Sequence, residues 1–174
     1  MLHQTRLKLL RGHRYALVGQ NGAGKTTLMN AIKNEKIDSW PHHLKTAYVD
    51  SGSNVDPAFQ KQLMLPYLVK TTGKTEEECK AKLKDLDFTD RMMEGTIGAM
   101  SGGWQMKHRL VQAVLLDPDI YLLDEPTNHL HHHGKQICLL SLNVSVNISI
   151  CFTQRNFLIH FHANHTVYSC QVAY

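Results

Sequence analysis

The sequence predicts an α/β fold with a largely parallel sheet, and three observations carry that prediction. Short apolar runs of strand length alternate with segments of helical periodicity. A glycine-rich stretch joins the first such strand to the first such helix. A later strand runs out onto two adjacent acids, Asp124 and Glu125. The chain has 174 residues, enough for about one domain. With 43% hydrophobic and 20% charged residues it reads as globular rather than disordered.

Taken in order, Arg14-Tyr15-Ala16-Leu17-Val18 is a short apolar run ending at a glycine, which reads as a buried strand. A helix is expected from about Gly24 to Lys33, with Leu28, Met29 and Ile32 on one face. Thr46 to Val49 is a second strand. Thr75, followed three residues on by Glu78, forms a capping box that opens a helix running to about Leu86. Ser101 caps another helix, in which Leu110, Val111, Val114 and Leu115 make an apolar stripe. Ile120-Tyr121-Leu122-Leu123 is a strand ending on Asp124. Leu142, Val144, Val146, Ile148, Ile150 and Phe152 then alternate with polar or small residues. That period of two predicts a half-exposed strand.

Charge is unevenly spread. Residues 1–34 carry Arg6, Lys8, Arg11, Arg14, Lys25 and Lys33 with no acid, and no acid follows Glu125. The net charge of +4 permits an anionic partner without requiring one. No run of about 18 apolar residues is present, so no membrane-spanning helix is expected. The N-terminus lacks the apolar core of a signal peptide. The four cysteines have no metal-ligand spacing, which suits a reducing, cytoplasmic setting. The run His131-His132-His133 reads as polar loop rather than a metal site, and the Asn-x-Ser/Thr triplets at Asn143, Asn147 and Asn164 as accidental.

Gly19-Gln20-Asn21-Gly22-Ala23-Gly24-Lys25-Thr26, followed by Thr27, matches the P-loop pattern GxxxxGK[ST]. A triphosphate needs many donors close together, and glycines at 19, 22 and 24 let the backbone curl so that N–H groups face its oxygens. The next helix adds its positive N-terminal end. Lys25 supplies charge for the β- and γ-phosphates, and the Thr26 hydroxyl is placed to ligate Mg²⁺. At the far strand, Asp124 is the carboxylate partner of that Mg²⁺, and Glu125 is the acceptor for the proton of an attacking water. ATP with Mg²⁺ is therefore the expected ligand. Gly73-Lys74-Thr75 repeats only the last letters of the motif, with Leu68 in place of the leading glycine. It reads as a turn.

Between the P-loop and the acid pair lies Ser101-Gly102-Gly103-Trp104-Gln105, ahead of a helix that leads to Asp124-Glu125-Pro126-Thr127-Asn128-His129-Leu130. That order of P-loop, SGG signature and strand-end glutamate resembles the ABC-type ATPases. SGGW and DEPTNHL, with Arg11-Gly12-His13-Arg14-Tyr15 and Phe88-Thr89-Asp90, are most similar to the soluble ABC-F and elongation-factor-three group, in particular the fungal-type factor. The resemblance covers roughly residues 2–130. It implies a P-loop NTPase of ABC type, with flanking helices and a small helical arm, and ATP hydrolysis coupled to translation elongation on the ribosome.

The resemblance also implies a second ABC domain packed head to tail, each signature closing over the other's γ-phosphate. It implies no membrane partner. Measured against that pattern, residues 1–130 form a nucleotide-binding domain lacking its first strand or strands, and 131–174 an atypical tail replacing the rest. The acid expected after NHL is His131, the glutamine-loop region is Tyr48-Val49-Asp50-Ser51, and an arginine of the signature helix is Gln112. Thr153 stands where relatives carry a switch histidine, before Arg155-Asn156-Phe157-Leu158; His160, His162 and His165 follow too late. Two alternatives remain: the ATPase subunit of an ABC transporter, and a nucleotide-binding piece that does not hydrolyse.

Overall fold

A computed structural model describes residues 13–20, 22–37, 41–50, 57–126, 148–153 and 168–169. These residues divide into two compact units. The first is a sheet unit, built from the described residues up to Asp50, from Pro118–Pro126, and from those after Ser145. The second is a helical unit within Ser51–Asp117.

The sheet unit contains β1 (His13–Val18), α1 (Lys25–Lys33), β2 (Thr46–Val49), β3 (Ile120–Asp124), β4 (Ile148–Thr153) and β5 (Tyr168–Ser169). The sheet order is β2-β3-β4-β1-β5, and every pairing is parallel. All residues of β3 are buried, as a strand inside a parallel sheet requires. Leu17 from β1, Ile120 and Leu122 from β3, and Met29 and Ile32 from α1 close into one core. Leu28, on the same helix face, packs at its margin. The β2–β3 register is set where the two strands begin. The Asp119 and Ile120 N–H groups donate to the Lys45 carbonyl at 2.9 and 3.0 Å, and the Lys45 N–H donates to Asp119 Oδ2 at 3.0 Å.

Of the alternating stretch from Leu142 to Phe152, the described part is β4. It is hydrogen-bonded on both edges, to β3 and to β1, where alternation alone predicted a half-exposed strand. Its place between those strands follows from pairing with partners distant in sequence, which a local period cannot encode.

The helical unit contains α2 (Pro57–Gln60), α3 (Met64–Thr72), α4 (Glu76–Lys84), α5 (Asp90–Met93), a 3-10 turn (Ile97–Ala99) and α6 (Gly102–Leu115). Its core joins Met64 and Leu68 of α3, Cys79 and Leu83 of α4, and Val111 and Leu115 of α6 around Phe88, Met93 and Ile97. Gly73 ends α3 in the left-handed region at φ 68°, and Thr75 opens α4 two residues later. The repeated GKT is therefore a helix–helix turn. The capping box is complete: Thr75 Oγ1 accepts the Glu78 N–H at 3.2 Å, and Glu78 Oε2 accepts the Thr75 N–H at 2.8 Å. These bonds hold the Glu78 carboxyl below its ordinary range.

One side chain breaks the apolar rule of this core. His108 of α6 is 0% exposed, and among the described residues neither ring nitrogen has a hydrogen-bond partner. Its neighbours are the rings of Phe59 and Tyr67, 6.4 and 6.1 Å away between centroids. Burial pushes its pKa down to about 4, and the charge of Arg109 acts in the same direction. The Met64 backbone lies near enough to offset part of this, though outside hydrogen-bonding geometry.

Candidate functional site

The predicted P-loop connects β1 to α1 in the sheet unit, the arrangement in which a helix N-terminus meets the end of a strand. Asn21 lies outside the described residues. Gly22 and Gly24 have φ of 81° and 86°, a region that costs an L-residue with a side chain roughly 1–2 kcal/mol. Gly19 differs from the sequence expectation: it has no positive φ, and a methyl there would meet Ala23 Cβ at an ordinary 3.5 Å. The curl rests on the other two glycines. The Ala23 N–H closes the loop onto the Gln20 carbonyl at 3.2 Å, and the Leu28 N–H reaches the Gly24 carbonyl at 2.9 Å.

Lys25 is only 9% exposed, and its ammonium donates to the Gly19 and Gln20 carbonyls at 2.9 Å each. A buried ammonium is costly without such partners. Two of its three N–H groups are thereby held, and the third suits an anion in the loop. Thr26 and Thr27 follow on the exposed side of α1. The Thr26 hydroxyl donates to Asp124 Oδ2 at 3.0 Å, across 98 residues of sequence. The P-loop threonine and the strand-end aspartate, predicted separately as metal ligands, thus meet directly.

Asp124 is the last residue of β3 and 7% exposed. The chain then turns: Glu125 is left-handed at φ 49° and half-exposed. A non-glycine residue in that region is uncommon and concentrates at functional sites. The turn releases Glu125 from the buried row of β3. Thr153 ends β4 in register with Val18, one residue beyond Phe152, which is level with Asp124 and with Leu17.

Sequence reasoning missed one member of this group. The Tyr48 hydroxyl donates to the same Asp124 Oδ2 at 3.3 Å. Burial, then the charge of Asp124, raises the phenol's pKa well above its ordinary value. In the sequence Tyr48 stands out only as part of a segment without the expected glutamine; the signal that could have found it is the β2–β3 pairing.

The signature belongs to the helical unit. Ser101 occupies the N-cap position of α6 with extended backbone, but its side chain makes no capping bond, unlike the expectation for it. Two glycines open the helix, and Ser101 and Gly102 are exposed, so the N-terminal N–H groups are not capped by this serine. Gln105 turns back, donating through Nε2 to the Met100 carbonyl at 2.9 Å. Trp104 is half-buried and edge-on to Phe88 at 4.9 Å. The Lys107 ammonium stands 4.1 Å over its ring and donates to the Leu86 carbonyl at 3.2 Å. Trp104 and Lys107 therefore brace the start of α6. Gln112 donates to Thr71 Oγ1 at 3.2 Å, tying α6 to α3. Among the described residues, no helix is long and apolar enough to cross a membrane. The positions from Thr127 through His133, and His160, His162 and His165, lie outside the described residues.

The chain is 44% identical over 132 residues to elongation factor 3B of Saccharomyces cerevisiae, a match covering 75% of this chain and 12% of that protein. It is 45% identical over 132 residues to elongation factor 3 of Candida glabrata, with the same two coverages. The chain thus spans 12% of the length of these relatives. In fold it is similar to a dimeric ATP-binding cassette solved in a post-hydrolysis state with ADP and Pi. The TM-score is 0.66 at 20% identity, over 84% of this chain and 77% of that one. The sequence profile of the ABC transporter family matches residues 2–128, which hold the P-loop, the signature and the acid pair, and the chain belongs to that family as an ATP-binding domain of ABC type.

Proposed function

We propose that the P-loop of this chain binds Mg²⁺–ATP and that the parent protein couples ATP hydrolysis to translation elongation on the ribosome. The observation that carries the first half is the Thr26–Asp124 hydrogen bond, which joins the phosphate loop to the acid of β3. Two hard oxygen donors at the mouth of a P-loop fit Mg²⁺, which takes oxygen ligands and keeps much of its water. When bound, that ion supplies positive charge against the β- and γ-phosphate oxygens. Lys25 adds charge from the loop side, and the N-terminus of α1 adds backbone N–H groups.

Hydrolysis needs a proton acceptor beside the γ-phosphate, and Glu125 is the candidate. Water attacks the γ-phosphorus, its proton passes to the carboxylate, and the bond to the bridging oxygen breaks toward ADP. The Ser101-Gly102-Gly103 turn of a second ABC domain would face that phosphate. The dimeric state of the structurally similar cassette supports such a partner. The ribosome and a cytoplasmic location come from the relatives named elongation factor 3. Co-sedimentation of the parent protein with ribosomes tests that half, and co-purification with membranes instead would overturn it.

A second reading, nucleotide binding without turnover by this chain alone, is favoured by Thr153 at the end of β4. Threonine lacks the imidazole that relatives direct at the γ-phosphate. With the loss of acids after Glu125, it also supports reading 131–174 as an altered segment in place of the rest of the domain. A transcript that resumes a family-like sequence just past the Leu130 codon would support this; one that continues in frame with the present tail, shared by close relatives, would count against it.

The direct test of the site is calorimetry with Mg²⁺–ATP on the wild type and Lys25→Ala. Loss of most of the affinity is expected, because charge-assisted bonds to phosphate go with the ammonium. Equal binding by both proteins would overturn the assignment.

A further inference from the structure

Parallel pairing of β2 and β3 sets Tyr48 level with Leu122 and Val49 level with Leu123. Alternate residues of a strand share a face, so Asp124, two beyond Leu122, lies on the face that carries Tyr48. The phenol spans that diagonal and reaches Oδ2 at 3.3 Å. Thr26 donates to the same oxygen from α1 at 3.0 Å. Both bonds fall on one oxygen of a carboxylate that is 7% exposed. The Lys33 ammonium of the last turn of α1 stands over the Tyr48 ring, 4.6 Å from its centroid. A cation against an aromatic face is attracted to it, which helps hold the ring in place.

We propose that Tyr48 is a positioning residue for Mg²⁺: its hydroxyl, with that of Thr26, holds Oδ2 of Asp124, so that the carboxylate would meet the hydration shell of a bound metal through Oδ1. This inference rests on the nucleotide-binding reading above and deepens it. A carboxylate held only by Thr26 could pivot about that single bond. The second donor, anchored in a strand rather than a helix, removes the pivot. Groups that hold metal-binding carboxylates in this way typically contribute about 10–100-fold to metal affinity. With a bond as long as 3.3 Å, the lower end of that range applies.

Tyr48→Phe deletes one oxygen and keeps the ring, its packing at the edge of the core and its contact with Lys33. The experiment is calorimetry of ATP binding to the full chain, wild type and Tyr48→Phe, in EDTA and across a Mg²⁺ titration. The expected result is an unchanged affinity in EDTA and a Mg²⁺ midpoint raised about tenfold in the variant. The same midpoint in both proteins overturns the proposal while leaving the nucleotide reading intact. An equal loss with and without Mg²⁺ also overturns it, because a general packing defect does not distinguish the metal. If the wild type binds no ATP under either condition, the nucleotide reading fails and this inference falls with it. A melting temperature measured on both proteins separates a lost bond to the metal site from lost folding.

Discussion

His108 offers a quantitative test of the helical unit. In the unfolded chain an imidazole titrates near its ordinary value of 6.5, whereas in the fold burial holds it at about 4. The folded pKa is depressed, so its contribution is fully present above pH 6.5 and declines as pH falls toward 4. Over that window the unfolded chain takes up a proton that the folded chain refuses. Each unit of separation corresponds to about 1.4 kcal/mol, so by pH 4.5 the unit should have lost roughly 2–3 kcal/mol through this residue. That is a large share of the stability of an ordinary domain, about 5–15 kcal/mol. Other groups titrate in the same range, so the quantity to measure is a difference.

His108→Leu removes the titration and places an apolar side chain between Phe59 and Tyr67. Urea unfolding followed by tryptophan fluorescence is suited to the purpose, because Trp104 lies on the same helix, against Phe88. At pH 7 the variant should be as stable as the wild type or up to about 2 kcal/mol more so, since no buried ring nitrogen is left without a partner. Between pH 7 and 4.5 the wild type should lose roughly 2–3 kcal/mol more than the variant. Parallel pH profiles for the two proteins would refute the reasoning, as would a variant markedly less stable at pH 7.

The remaining predictions are simpler. Thr75→Ala removes the hydroxyl that accepts the Glu78 N–H, and should cost about 1 kcal/mol in the same unfolding assay; no change would show the capping box to be idle. Gly24→Ala forces a Cβ into φ 86°, which should weaken Mg²⁺–ATP binding and cost about 1 kcal/mol of stability. Unaltered binding would show that the loop does not depend on that conformation. The purified chain alone should show little or no ATP turnover in a phosphate-release assay; steady turnover abolished by Glu125→Gln would contradict this. In a protein with its partner domain and a complete site, Glu125→Gln should bind ATP yet stall before hydrolysis.

Much of the site was legible in the sequence because its parts are local. The P-loop pattern is eight consecutive residues, and two of its three glycines, Gly22 and Gly24, adopt the left-handed backbone expected of it. The acid pair ends an apolar run long enough to be recognised as a strand, and β3 stops at Asp124 as expected. The capping box follows from a spacing of three residues, and of the four apolar residues expected on one face of α6, Leu110, Val111 and Leu115 are buried while Val114 is only half-buried. Each of these signals lies within about two helical turns of chain, where steric and hydrogen-bonding preferences act without help from the rest of the fold.

Only the tertiary structure decided the rest. Tyr48 meets Asp124 across 76 residues, by way of a strand register that Lys45 and Asp119 set at the other end of the pair. The left-handed turn at Glu125 follows a strand whose composition gives no sign of it. β4 stands between β3 and β1, though its alternation suited an edge or a half-covered sheet. The cap assigned to Ser101 is absent, and the start of α6 is braced by Gln105, Trp104 and Lys107 instead. For Tyr48 and for β4 the deciding contact joins segments far apart in the chain. Its free energy exists only after the backbone has closed the intervening loop, so no window of the sequence records it.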